Sequence, residues 1–230
     1  MTDAAPRALV VGASRNLGLG LVRELVARGW DVVGTVRGDR RTGLHDLADA
    51  HPGRVRIEQL DTTVPAEIDA LRDRLETASL DLLVVNAGIT DADVPAAEVD
   101  DDVFARVMLT NALAPVRVVE RLSDRVASRG TVAVMSSRQG SVSLNTRGGH
   151  EVYRASKSAL NQLVRSYDAR RTDERTLVLV HPGWVQTDLG GEGAPLTVEQ
   201  SVPGILDMLE KHAGDGGLQF RNHLDEVVAW

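Results

Sequence analysis

Ala8-Leu9-Val10-Val11-Gly12-Ala13-Ser14-Arg15-Asn16-Leu17-Gly18-Leu19-Gly20 is the stretch whose reading decides the fold. Residues 8–11 form a short apolar run that ends at Gly12, as a strand buried on both faces would. Leu21, Val22, Leu25 and Val26 then recur at helical spacing until Gly29, and an apolar strand resumes over 31–36. Strand, glycine turn, helix and strand together are the context a dinucleotide site requires. Glycines let backbone N–H groups and a helix N-terminus come close to a pyrophosphate. The spacing is G-x-x-x-x-x-G-x-G rather than the commoner G-x-G-x-x-G. A glycine-rich turn without a ligand is the bland alternative.

The end of the second strand bears on the cofactor. An acidic residue there holds a ribose 2′-hydroxyl, as in NAD sites, whereas an arginine accommodates a 2′-phosphate. Here the strand runs into Arg37, with Arg40 and Arg41 just beyond, and Arg15 of the glycine turn can face the same spot. Two guanidinium groups converging on one place suit a phosphate, so NADP(H) is expected in preference to NAD. Asp39 is the competing acidic reader, and a solvated basic loop is the plain alternative.

Further strands read at 54–60, 81–85, 131–135, 176–180 and 217–220. Helical periods read at 65–78, at 103–126 with Pro115 a kink, around Tyr153, and at 198–212. Alternation along the whole chain implies a single α/β domain over residues 1–230. It is expected to be of Rossmann type, doubly wound, with a mostly parallel seven-stranded sheet and helices on both faces. Candidate residues follow strands: the glycine turn, then Asp61-Thr62, Asn86, Ser136-Ser137 and Thr187. Ligands of open α/β sheets bind at those carboxyl ends. Asn111 falls on the buried side of its helix, where an amide needs partners.

Tyr153 and Lys157 lie one turn apart on one helix face. An ammonium beside a phenol favours the phenolate, which makes the tyrosine a usable proton carrier. Alone, that spacing also fits a surface lysine beside an aromatic ring.

Composition narrows the function. A net charge of −7 argues against nucleic acid and against an anionic membrane as partner. No apolar run approaches the length of a membrane span, and the N-terminus lacks a signal-peptide layout. With no cysteine the chain is expected in the cytoplasm, and its six scattered histidines show no metal-ligand spacing.

With these residues in view, the sequence resembles the short-chain dehydrogenase/reductase family over nearly its full length. The family's glycine turn matches Gly12, Gly18 and Gly20, and its Asn-Ala-Gly motif matches Asn86, Ala87 and Gly88. Its catalytic asparagine, serine, tyrosine and lysine match Asn111, Ser137, Tyr153 and Lys157. Its Pro-Gly motif and nicotinamide-contacting threonine match Pro182, Gly183 and Thr187. Tyr153 to Asn161, Pro182 to Asp188, Ala194 to Thr197 and Trp230 resemble the small C-factor-like, carbonyl-reductase-like branch. Sixteen positions separate Ser137 from Tyr153, longer than is usual, so Ser136 stays in contention with Ser137. Ser137 is preferred because the family's x-x-Gly follows it.

The resemblance implies an NADPH-dependent carbonyl reductase acting on a small-molecule carbonyl or alcohol substrate. In it Tyr153 exchanges the proton, Lys157 lowers the phenol's pKa and holds the ribose, Ser137 polarises the carbonyl, and Asn111 supports Lys157 through a water. It also implies cofactor contacts from Gly12, Ser14, Arg15, Asn16, Leu17 and Gly18, and from Arg37, Asp61 and Thr62. Further contacts are expected from Asn86, Ala87 and Gly88, from Tyr153 and Lys157, and from Pro182, Gly183, Val185 and Thr187. The alternatives are an NAD-dependent alcohol dehydrogenase, a biosynthetic tailoring ketoreductase, or a non-catalytic dinucleotide-binding signalling protein. Pairing of the 103–126 helix would give a homodimer or homotetramer.

On the substrate side, Trp184 either walls the pocket or only packs. Arg138, Arg147 and His150 either hold an anionic group or are solvated. The loop at 188–200, with its lid at 188–196, is short and carries few large apolar residues, which implies an open pocket.

Overall fold

The computed structural model describes residues 5–77, 79–90 and 93–230. Strand β1 (Arg7–Val11) lies near the middle of the sheet, between β2 (Asp31–Val36) and β4 (Leu80–Val85). β3 (Val55–Gln59) flanks β2, while β5 (Val126–Met135), β6 (Thr176–His181) and β7 (Leu218–Asn222) extend the sheet beyond β4. The order is β3-β2-β1-β4-β5-β6-β7, and every pairing is parallel. The chain winds outward from β1 in one direction and then from β4 in the other. The crevice at that reversal is where an open α/β sheet binds its ligand.

Alternate side chains of each strand serve opposite faces. Leu9 and Val11 pack with α3 (Pro65–Arg74), α5 (Ala114–Leu122) and α6 (Glu151–Arg170) through Ile68, Leu71, Val119, Leu160 and Val164. Ala8 and Val10 pack with α1 (Asn16–Ala27), α2 (Gly43–Ala50) and α7 (Val198–Lys211) through Leu21, Leu25, Leu44, Ile205 and Leu206. Two apolar faces per strand explain why these strands read as continuous apolar runs in the sequence.

Several elements differ from the sequence reading. α2 was not expected: it is short, with Leu44 its one fully buried side chain, and the Thr42 N–H donates to His45 Nδ1 at 3.1 Å. A histidine there replaces the Glu or Gln of the familiar start signal. α3 stops at Arg74 because Leu75 turns extended; Ala78, where the expected helix ended, lies outside the described residues. The N-terminal residues 1–4 lie outside them too. The expected helix at 103–126 is α4 (Asp101–Met108), a π-helical stretch Leu109–Leu113, then α5, with Pro115 in its first turn. β5 begins at Val126, five residues early, with a register shift against β4 between Leu80 and Leu82. α7 begins at Val198, as its helical period implies, so the last three positions of the expected 188–200 loop belong to the helix. Thr197 caps it: its hydroxyl accepts from Gln200 N–H and its own N–H donates to Gln200 Oε1. Among the described residues no helix is long and apolar enough to cross a membrane.

Candidate active site

The glycine turn is held by close packing. Gly12 adopts φ +84° and gives its N–H to Thr35 Oγ1 at 3.0 Å, while Asn86 Nδ2 donates to its carbonyl at 2.9 Å. A Cβ on Gly18 would stand 2.0 Å from that same carbonyl, so this helix can start here only with glycine. Arg15 precedes α1 without a side-chain cap, and the first turn carries no acid. Its N–H groups and the positive end of the helix are therefore available to an anion. Ser14, Arg15, Asn16 and Leu17 line one end of a cleft of about 1850 Å³ that follows the carboxyl ends of the strands.

Arg37 and Arg40 are exposed, line that end of the cleft, and form no ion pair among the described residues. Arg41 turns away, with Nη2 at 2.7 Å from Asp46 and 2.6 Å from Asp49. Asp39 accepts from Gln59 Nε2 at 3.3 Å. Arg15 does not reach toward Arg37: its Nε is 3.0 Å from Asp188 Oδ2, on the loop after β6. Asp61 caps its own turn through the Thr63 N–H and hydroxyl, and Thr62 is buried beside it. Ala87 and Gly88 complete this wall. An uncapped helix start, glycines with no room for a side chain and two unpaired arginines fit a phosphorylated dinucleotide.

Further along the cleft, α6 brings Tyr153 and Lys157 to its floor. Lys157 is 4% exposed; Nζ donates to the Met135 carbonyl at 2.8 Å and lies 5.8 Å from the centre of the Tyr153 ring. The Ser137 hydroxyl, which accepts from the Gln139 N–H at 3.1 Å, lies near enough to the Tyr153 phenol to favour its charged form, whereas Ser136 Oγ donates to Asn161 Oδ1 at 2.6 Å. Burial pushes the phenol up to about 12, and Ser137 pulls weakly the other way. Burial alone brings Lys157 down to about 8. The expected pull of Lys157 on the phenol is thus outweighed by desolvation, and at neutral pH the pair is phenol and ammonium.

Asn111, fully buried in the π-helical stretch, accepts from the Ile89 N–H at 2.8 Å. Its Nδ2 donates to the Ile89 carbonyl at 2.8 Å and to Ser156 Oγ at 3.0 Å. Its amide therefore ties the loop after β4 to α6, beside Lys157. Pro182 accepts from Ser201 Oγ at 2.6 Å, Val185 bridges to Leu196, and Thr187 Oγ1 accepts from the Gly190 N–H at 2.9 Å. Gly183 lines the same wall. Trp184 is exposed at the mouth, its indole N–H donating to the Gly190 carbonyl at 2.7 Å. His150 pairs with Asp93 through its backbone N–H, and Arg154 Nε donates to the Gly149 carbonyl at 2.8 Å.

The cleft brings together all the expected residues except Gly18, buried in the first turn of α1, and Asn111, which lies behind it. Sequence reasoning missed Thr35 and the pairing of Asp188. A buried threonine in a valine-rich strand is a readable signal; the Arg15–Asp188 pair, made across the fold, leaves none.

A family model described as short chain dehydrogenase matches residues 6–195. A Burkholderia multivorans chain whose crystal structure has NADP bound is 48% identical, with a TM-score of 0.96 over 99% of this chain and 100% of that one. A carbonyl reductase from Pseudomonas aeruginosa PAO1 in complex with NADP is 36% identical, with a TM-score of 0.91 over 99% and 100%. C-signal from Myxococcus xanthus is 38% identical over 157 residues, 67% of this chain and 95% of that protein.

Proposed function

The chain belongs to the short-chain dehydrogenase family of oxidoreductases, and on that premise we propose that it is an NADPH-dependent carbonyl reductase. One observation carries the reading: the hydroxyls of Ser137 and Tyr153 share one cleft with the buried Lys157 and with the glycine turn. When bound, the reduced nicotinamide supplies a hydride to the carbonyl carbon. As that C–H bond forms, the C=O π pair moves onto oxygen, and Tyr153 gives that oxygen its proton. Ser137 donates to the same oxygen as charge develops on it. Lys157, charged below about pH 8, stabilises the phenolate left behind and would hold the cofactor's ribose. Asn111 positions the floor through Ile89 and Ser156.

Preference for NADPH is supported by Arg37 and Arg40, unpaired at the end of β2 where an NAD site would place an acid. The NADP-bound Burkholderia and Pseudomonas neighbours support it as well. A second reading, a dinucleotide-binding signalling protein, draws on the likeness to C-signal. Tyr153 and Ser137 weigh against it, since signalling needs no proton relay.

Fluorescence titration with NADPH and NADH tests the proposal, on the wild type, Arg37→Ala and Tyr153→Phe. We expect tighter NADPH binding that weakens about tenfold or more in Arg37→Ala, the loss of one charge-assisted contact. Tyr153→Phe is expected to bind NADPH yet lose carbonyl reduction. NADH binding equal to that of NADPH would overturn the cofactor preference, and biological function unaffected by Tyr153→Phe would favour signalling.

A further inference from the structure

The charge of the cleft runs against that of the chain. The formal net charge is −7, yet among the described residues the lining holds seven Lys or Arg and three Asp. Arg15, Arg37 and Arg40 stand at the glycine turn and the end of β2, where the phosphates of a dinucleotide account for them. Those phosphates do not account for Arg138 and Arg147. Arg138 follows Ser137 directly, and Arg147 sits in the loop leading to Tyr153. Neither forms an ion pair among the described residues, and Asp188, the acid of the facing loop that lines the cleft, is taken by Arg15.

Beside them stands a polar atom without a partner. His181, at the end of β6, lines the cleft, and its Nδ1 is buried and makes no hydrogen bond. A buried polar atom in that position calls for a partner. Burial, with Arg138 nearby, holds this imidazole down to about 4, so it is neutral and able to donate from Nδ1. Three large apolar side chains line the mouth as well: Leu144, Trp184 and Leu189 are 38%, 58% and 42% exposed. The Gly190 carbonyl fixes the indole of Trp184 as a flat wall. Apolar side chains left open beside uncompensated guanidinium groups describe a ligand with two chemically different ends.

We propose that the substrate is a carbonyl compound with an apolar body and a carboxylate, the carboxylate held by Arg138 and Arg147 and the body lying against Trp184 and Leu144. This rests on the reductase reading given above. The acid is recognised by charge-assisted hydrogen bonds, and its reacting carbonyl points to Ser137 and Tyr153.

Calorimetry on Tyr153→Phe, with and without NADPH, measures binding where turnover is blocked. The probes are benzoylformate and levulinate, each against its methyl ester. We expect each acid to bind about tenfold or more tightly than its ester, with the advantage shrinking as salt is added. It should fall toward parity when Arg138→Ala and Arg147→Ala are combined, and Arg147→Glu alone, on an exposed loop, should move it the same way. Benzoylformate should keep the larger advantage in absolute affinity because its ring meets Trp184. Esters that bind as well as the acids, or a preference that survives the double replacement, would overturn the proposal. NADPH consumption by the wild type on the neutral esters is a separate readout: its absence would sink the reductase reading and leave the binding result as measured.

Discussion

At the scale of single residues, one cause pulls Tyr153 and Lys157 in opposite directions. Burial penalises whichever form is charged, so the phenol rises to about 12 and the ammonium falls to about 8. Below about pH 8 the site therefore holds a proton donor above a cation, the arrangement that reduction needs. As pH rises through about 8 the cation is lost while the phenol keeps its proton, so in the proposed reaction the phenolate would lose its stabilising charge. We expect kcat/KM for reduction of a neutral ketone to be level across neutral pH and to fall above about pH 8. Lys157→Arg, whose guanidinium does not deprotonate in this range, should lower kcat and move the falling limb upward. A limb that stays near 8 in that variant would belong to another group. The sequence could not separate Ser136 from Ser137, since both follow the same strand; in space Ser136 is bonded to Asn161 while Ser137 lies near the Tyr153 phenol.

At the scale of elements, what the sequence hid is the π-helical stretch Leu109–Leu113. Phe104, Val107, Met108, Ala112, Val116 and Val119 fit a single continuous helix, and a local change in the hydrogen-bond ladder leaves so short a pattern almost intact. Its consequence is at Asn111, which serves three partners at once, and Pro115 just beyond has no N–H to offer the Asn111 carbonyl. Asn111→Ala would leave the part-buried Ile89 N–H and carbonyl without their partner and the buried Ser156 oxygen without its donor. We expect a loss of about 2–4 kcal/mol, read as a lower urea midpoint at unchanged slope. An unchanged midpoint would mean that these bonds do not brace the fold. The same logic explains the other misread elements. α2 offers two leucines at helical spacing and starts on Thr42 and His45, too little pattern for so short a helix. α3 and β5 have ends fixed by backbone turns and pairing that composition does not record.

At the scale of the whole molecule, the doubly wound sheet was legible because strands covered on both faces must be apolar throughout, and each ends in the polar or glycine residue that faces the cleft. Contacts between distant parts of the chain were not legible, since charged side chains carry no mark of their partner. Asp225 is such a contact. It accepts from Lys211 Nζ at 2.5 Å, from His212 Nε2 at 2.8 Å and from Arg221 Nη1 at 2.9 Å, joining the end of α7 to β7. β7 in turn supports the cleft wall, because the His223 N–H donates to the His181 carbonyl at 3.0 Å. The hydrogen bond from Lys211 first, then His212 and Arg221, hold the Asp225 carboxyl down to about 2, against 3.8 for a free aspartate. A carboxyl lowered on folding stabilises the fold above its unfolded pKa, and that contribution drains away as pH falls from about 4 toward 2. Asp225 also sits at φ 62°, a conformation that asparagine shares readily, so Asp225→Asn removes charge without straining the backbone. We expect that variant to melt about 2–4 °C below the wild type at neutral pH and low salt. The gap should narrow in high salt, because Lys211 is largely exposed, and narrow again in acid as the wild-type carboxyl takes up its proton. A gap that stayed constant from neutral pH to about pH 3 would mean that shape rather than charge holds α7 against β7.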